Sequence, residues 1–87
     1  MKIYRAEHDD GGGPYYKLDG TPRQNNIPKQ DPSDIIYGAD SLEHLKSLIS
    51  NYGFNINDFN IKVYEINKYI AYNRNNGHVV FDKNEVI

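Results

Sequence analysis

Between positions 41 and 52 the apolar residues Leu42, Leu45, Leu48, Ile49 and Tyr52 recur at intervals of three and four, the spacing that gathers side chains into one stripe of an α-helix. A helix over about 41–52 is predicted. Asp40 is its expected N-cap with Glu43 three positions on, and Gly53 stands where a left-handed stop belongs. Elsewhere the period shortens to two. Lys2 to His8 alternates as a strand, with Ile3, Arg5 and Glu7 on one face and Tyr4, Ala6 and His8 on the other. Asn60 to Asn67 has high β-propensity, with Ile61 and Val63 opposite Tyr64 and Ile66 and both faces expected to be covered. Residues 69–72 and 78–82 flank an asparagine-rich turn ending in Asn76-Gly77, a hairpin signal. Ile35-Ile36-Tyr37 reads as a short strand that ends at Gly38.

From Asp9 to Asp34 this periodicity is lost. That stretch holds Gly11, Gly12, Gly13 and Gly20 and all four prolines, which is loop chemistry. A connection of this length is either disordered or a functional loop packed by its own side chains, here Tyr15, Tyr16 and Ile27. The order strand, long loop, helix, strand, hairpin lacks the alternation of a doubly wound sheet. The fold class is therefore α+β: a small antiparallel sheet of three to four strands, one amphipathic helix and a Gly/Pro-rich loop over 9–34. At 87 residues the chain makes a single domain, 1–87. A domain this small buries only about 60–65% of the surface its unfolded chain exposes, which leaves a homodimer open.

Composition excludes several classes. With no cysteine, disulfide frameworks, thiolate zinc sites and a cysteine nucleophile are ruled out. No apolar run is long enough to span a bilayer and none has signal-peptide form, so the expected location is the cytoplasm, with no membrane partner. Net charge is −2, and residues 1–34 and 35–87 each carry five Lys/Arg against six Asp/Glu. An even balance argues against nucleic acid as a direct ligand, because phosphate neutralisation needs a basic cluster.

The glycine run after the first strand sits where phosphate-binding loops occur, but it lacks a following Lys-Ser/Thr and is preceded by Asp9 and Asp10. A turn is the better reading. His8, Asp9 and Asp10, with His78, contain ligand types for a metal, yet no ligand pair has the required spacing, so no metal and no cofactor is assigned. Glu7, His8, Glu65 and His78 are the titratable groups available for acid-base work, and nothing in the sequence makes them converge; no catalytic residue is assigned. Tyrosine is the stronger signal. Eight are present, more than a core this size needs, and tyrosine is enriched at interface hot spots. The candidate partner-binding residues are Tyr4, Arg5, Glu7, His8, Tyr15, Tyr16, Tyr37 and His78.

Several short runs belong together: Tyr4-Arg5-Ala6-Glu7-His8, Gly13-Pro14-Tyr15, Ser41-Leu42-Glu43-His44-Leu45, Val63-Tyr64-Glu65 and Gly77-His78-Val79-Val80-Phe81. In order and spacing they resemble a family of small phage and prophage accessory proteins across nearly the whole chain. The triple glycine and the turn at 73–77 depart from that pattern. The resemblance implies a non-enzymatic protein that binds and inhibits a bacterial defence component through protein contacts in the host cytoplasm, as an anti-CRISPR protein does. The alternative is a small-ligand or nucleotide binder, with weak transferase or hydrolase chemistry, centred on Arg5, Glu7, His8 and His78.

Overall fold

A computed structural model describes residues 1–31 and 33–87; Pro32, one of the four loop prolines, lies outside the described residues. Five strands, rather than three or four, form one antiparallel sheet. They are β1 (Lys2–Glu7), β2 (Ile35–Ala39), β3 (Asn60–Glu65), β4 (Ala71–Asn73) and β5 (His78–Asp82), in the order β3-β1-β2-β5-β4. Among the described residues one helix, α1 (Leu42–Asn51), and two single 3-10 turns complete the fold.

The strands β1 and β3 share six paired positions from Lys2↔Glu65 to Glu7↔Asn60, and β2 and β5 share five, whereas β1 and β2 meet at one, Tyr4↔Ala39. The sheet is thus two ladders joined at a narrow seam. Gly38 lies at that seam. A Cβ there would stand 2.3 Å from Ile3 Cγ2 and 2.9 Å from the Tyr4 carbonyl, so glycine lets β2 run through Gly38 and Ala39 rather than ending at Gly38.

Alternation along the strands divides the core. On one face Ala6 and Ala39 pack under Leu45, Leu48 and Ile49 of α1, with Tyr4, Phe54, Ile56 and Phe59 at the margin. On the other, Ile3, Val79, Phe81 and Ile66 are fully buried, flanked by Met1, Ile36, Tyr72 and Val86. One expectation fails on the helix face. Ile61 and Val63 are 37% and 52% exposed, because β3 is an edge strand and α1 lies over β1, β2 and β5 instead. Pairing also trims the predicted strands: β1 ends at Glu7, β3 at Glu65, and β4 starts at Ala71.

The helix N-cap is Ser41, not Asp40: the Ser41 hydroxyl accepts from the His44 N–H at 3.1 Å, while the Asp40 carboxylate is held by other side chains. At the other end Gly53 adopts φ +85, and the N–H groups of Gly53 and Phe54 bond the carbonyls of Ser50 and Ile49, the two-bond stop expected of a left-handed glycine.

Of the two readings of the 9–34 loop, the folded one describes what is seen. Asp10 grips Arg23 through two hydrogen bonds of 2.8 and 3.1 Å, and Arg23 Nε donates to the Gly13 carbonyl. A small hairpin closes between Tyr16 and Pro22, with Lys17 N–H on the Thr21 carbonyl and Arg23 N–H on that of Tyr15. The Tyr16 hydroxyl donates to the Pro28 carbonyl, and the Tyr15 ring lies edge-on to Tyr52 and Phe54. These last contacts seat the loop beside the C-terminal end of α1.

Two outcomes follow from this packing. Gly38→Ala drives a methyl into backbone and should lower stability by roughly 1–3 kcal/mol; Gly53→Ala, which meets no atom within 4 Å, should cost only the left-handed strain of about 1–2 kcal/mol. Urea unfolding of both variants ranks them, and the reverse order would show that the seam tolerates a side chain. The second concerns acid. Hydrogen bonds from Arg23 and from the Gly12 N–H hold the Asp10 carboxyl down to about 2, against 3.8 for a free aspartate. Because the folded value is the lower one, the clamp's contribution is complete above the free value and is lost as pH falls from about 4 towards 2. Amide protection at residues 12–23, taken relative to the intrinsic exchange rate at each pH, should fall over that interval, and Asp10→Asn should show the same low protection already at neutral pH.

Candidate functional site

Where β1 and β2 part beyond the seam, Arg5 fills the gap. The bonds Asp40 N–H to Gly77 carbonyl and Lys83 N–H to Asp34 carbonyl frame the β2–β5 ladder. They make the even-numbered residues of β2 the ones that face β5, so the Tyr37 carbonyl turns towards β1. Arg5 Nε donates to it at 2.8 Å, and Nη1 donates to Glu7 Oε2 at 2.9 Å. Glu7 Oε2 also accepts from the Tyr64 hydroxyl at 2.7 Å. Arg5 and Glu7 are 7% and 4% exposed. Burial and the bond to Glu7 push the Tyr64 phenol up, so Tyr64 stays a neutral donor. This is a buried ion pair, and removing one partner of such a pair costs about 3–5 kcal/mol.

Above Arg5 opens a cleft of about 510 Å³ between α1, β2 and the folded loop, within the size range of small-molecule sites. Leu45, Leu48 and Ile49 form its helix side, and Tyr15, Tyr16 and Leu18 its loop side. At its rim the exposed Tyr37 ring stacks on His78, centroids 5.5 Å apart and 22° from parallel.

Five of the eight candidate residues therefore line one cleft: Arg5, Tyr15, Tyr16, Tyr37 and His78. The other three lie elsewhere. Tyr4 packs half-buried against the helix-side core, the Glu7 carboxylate is occupied by Arg5 and Tyr64, and His8 rests on Phe59 with centroids 4.8 Å apart. Asp10 is bound to Arg23, Asp9 accepts from Asn60 Nδ2 at 2.7 Å, and His78 belongs to the cleft, so the considered metal set is dispersed. The acid-base set is dispersed as well, with Glu65 at the N-terminal amine, 3.1 Å away. The glycine run is a turn whose Gly12 N–H donates inward, to Asp10.

Two features escaped the sequence reading. Tyr52, counted only in the helix stripe, lines the cleft at its exposed end; its place as the last residue of the stripe, beside the stop, was the available signal. The second is a chain of three side chains at the start of α1. Tyr72 hydroxyl donates to Asp40 Oδ2 at 2.6 Å, and His44 Nδ1 lies 2.6 Å from Asp40 Oδ1. Burial would raise the Asp40 carboxyl, but hydrogen bonds from Tyr72 and His44 outweigh it and hold the group below its ordinary value; the bond to Asp40 raises the Tyr72 phenol. The four-residue spacing of Asp40 and His44 was legible, the return of Tyr72 was not. Chemically this is a carboxylate-oriented imidazole, yet none of the three lines the cleft, and its visible work is to tie the helix start to β4.

No helix among the described residues is long and apolar enough to cross a membrane. No curated protein and no solved structure matches the chain. A family model described as Bacteriophage T4 Y00F protein matches residues 1–87, which gives the resemblance to small phage proteins a definite family. The chain belongs to the Bacteriophage T4 Y00F protein family.

Proposed function

We propose that this phage-family protein is a non-enzymatic accessory protein that binds and inhibits a component of bacterial host defence by direct contact, as anti-CRISPR proteins do. The observation that carries the reading is the ring of tyrosines at the cleft. Tyr15, Tyr37 and Tyr52 stand 36%, 58% and 44% exposed around an apolar hollow, whereas buried anchors in a hollow of this kind dominate binding energy at protein interfaces. Tyr37 is the centre of the contact, because its side chain is the most exposed of the three and His78 holds it in place. The balanced charge of the two halves fits a protein partner better than a nucleic-acid groove. The dispersal of Glu7, His8, Glu65 and His78 supports no transferase or hydrolase chemistry. A second reading, a small-ligand binder using Arg5 and His78, has one observation in its favour, the volume of the open cleft above Arg5.

The test is plating. A defence-sensitive phage should plate at least tenfold better on defence-bearing hosts that express the native protein than on the same hosts without it, and Tyr37→Ala at equal abundance should remove most of that gain. Equal plating with and without the protein across CRISPR and restriction hosts would overturn the proposal.

A further inference from the structure

The guanidinium of Arg5 is not fully used. It is 7% exposed, spends Nε on the Tyr37 carbonyl and Nη1 on Glu7, and leaves Nη2 with no acceptor among the described residues. The Glu85 Oε2 atom is the one fully buried side-chain polar atom without a partner among the described residues, so Nη2 is not sealed off. It opens to the cleft that Arg5 lines, next to Gly13, where a Cβ would stand 3.6 Å from it. Nη2 is thus a charged donor that faces the cleft, and a ligand oxygen placed there gains a hydrogen bond to a charged group.

We infer that the cleft is a binding site for a neutral, planar, largely apolar small molecule that places a carbonyl oxygen on Arg5 Nη2 and its ring system among Leu48, Tyr15 and the Tyr37–His78 stack. This goes beyond the inhibitor reading and gives the small-ligand reading its chemical class. Neutrality follows from charge. Glu7 already offsets Arg5 at 2.9 Å, and the other charged side chains among the described lining residues, Lys17 and Asp31, are exposed and of opposite sign. A carboxylate would bring an uncompensated charge into an apolar hollow, which is costly. A carbonyl adds an acceptor without adding charge. Planarity follows from the walls, since stacked and edge-on rings favour a flat aromatic guest.

The test uses three probes of one shape: naphthamide, methylnaphthalene and naphthoate, titrated into the full chain with amide shifts followed by NMR. Naphthamide should bind saturably with shifts at Gly13, Tyr37 and His78, and roughly tenfold to hundredfold more tightly than either other probe, the range expected for one hydrogen bond to a charged donor. Arg5→Met removes the donor but strands Glu7 and can unfold the chain. Gly13→Leu is the cleaner variant, because its Cβ meets only Nη2 and the added side chain occupies the space beside it; it should keep the native spectrum and lose naphthamide. Failure of all three probes to bind, equal binding of methylnaphthalene, tighter binding of naphthoate, or undiminished binding by a folded Gly13→Leu would each overturn the inference. None of these results depends on plating, so the two proposals stand or fall separately.

Discussion

A single side chain holds the two halves of this sheet in relation to each other. The β1–β3 and β2–β5 ladders carry their own backbone bonds, but between them the pairing is reduced to Tyr4↔Ala39. Beyond that point Arg5 acts as a strand partner would, donating Nε to the Tyr37 carbonyl that the register turns towards β1. Its charge can be buried because Glu7, two positions along the same face, accepts Nη1, and Tyr64 from β3 completes the Glu7 carboxylate. Four residues from three strands are thus fixed by one network, and in a low-dielectric interior such a network is strong when complete and costly when any member is lost.

The cleft is a consequence of the same arrangement. Strands that part leave a hollow, and α1 bridges it with Leu45, Leu48 and Ile49 rather than filling it. The loop closes the remaining side because Asp10 and Arg23 pin its base and Tyr15 rests on Tyr52 and Phe54. Apolar side chains are left over from the two core clusters, and Tyr15, Leu18, Tyr37 and Tyr52 lie exposed around this hollow. A hollow with exposed tyrosines on its rim therefore stands out as a place for another molecule, and membership of a phage family narrows which molecules to try first.

Local signals were sufficient where one element decides its own structure. The Leu42–Leu45–Leu48–Ile49 stripe, the Gly53 stop and the hairpin ending at Gly77 were all legible, because each depends on neighbours within a few positions. Asp40 shows the limit of that reasoning. As a sequence position it is as good an N-cap as Ser41, and what moves the cap by one residue is the Tyr72 hydroxyl arriving from β4 to claim the carboxylate. Gly38 looked like a strand end for a similar reason: the close approach of Ile3 and Tyr4 that requires a glycine there involves residues more than thirty positions away.

The sequence by itself determined a small cysteine-free α+β domain, its one helix, the alternating face of β1 and the tyrosine-rich character of the loop, all of which rest on spacing and composition. Tertiary structure alone decided the fifth strand, the narrow seam and the convergence of Arg5, Tyr15, Tyr16, Tyr37 and His78 on one cleft while Glu7, His8 and Tyr4 were drawn elsewhere. The physical reason is that strand register and loop closure are set by contacts between distant segments. Such contacts leave no periodicity in the chain, whereas a helix or a turn writes its own.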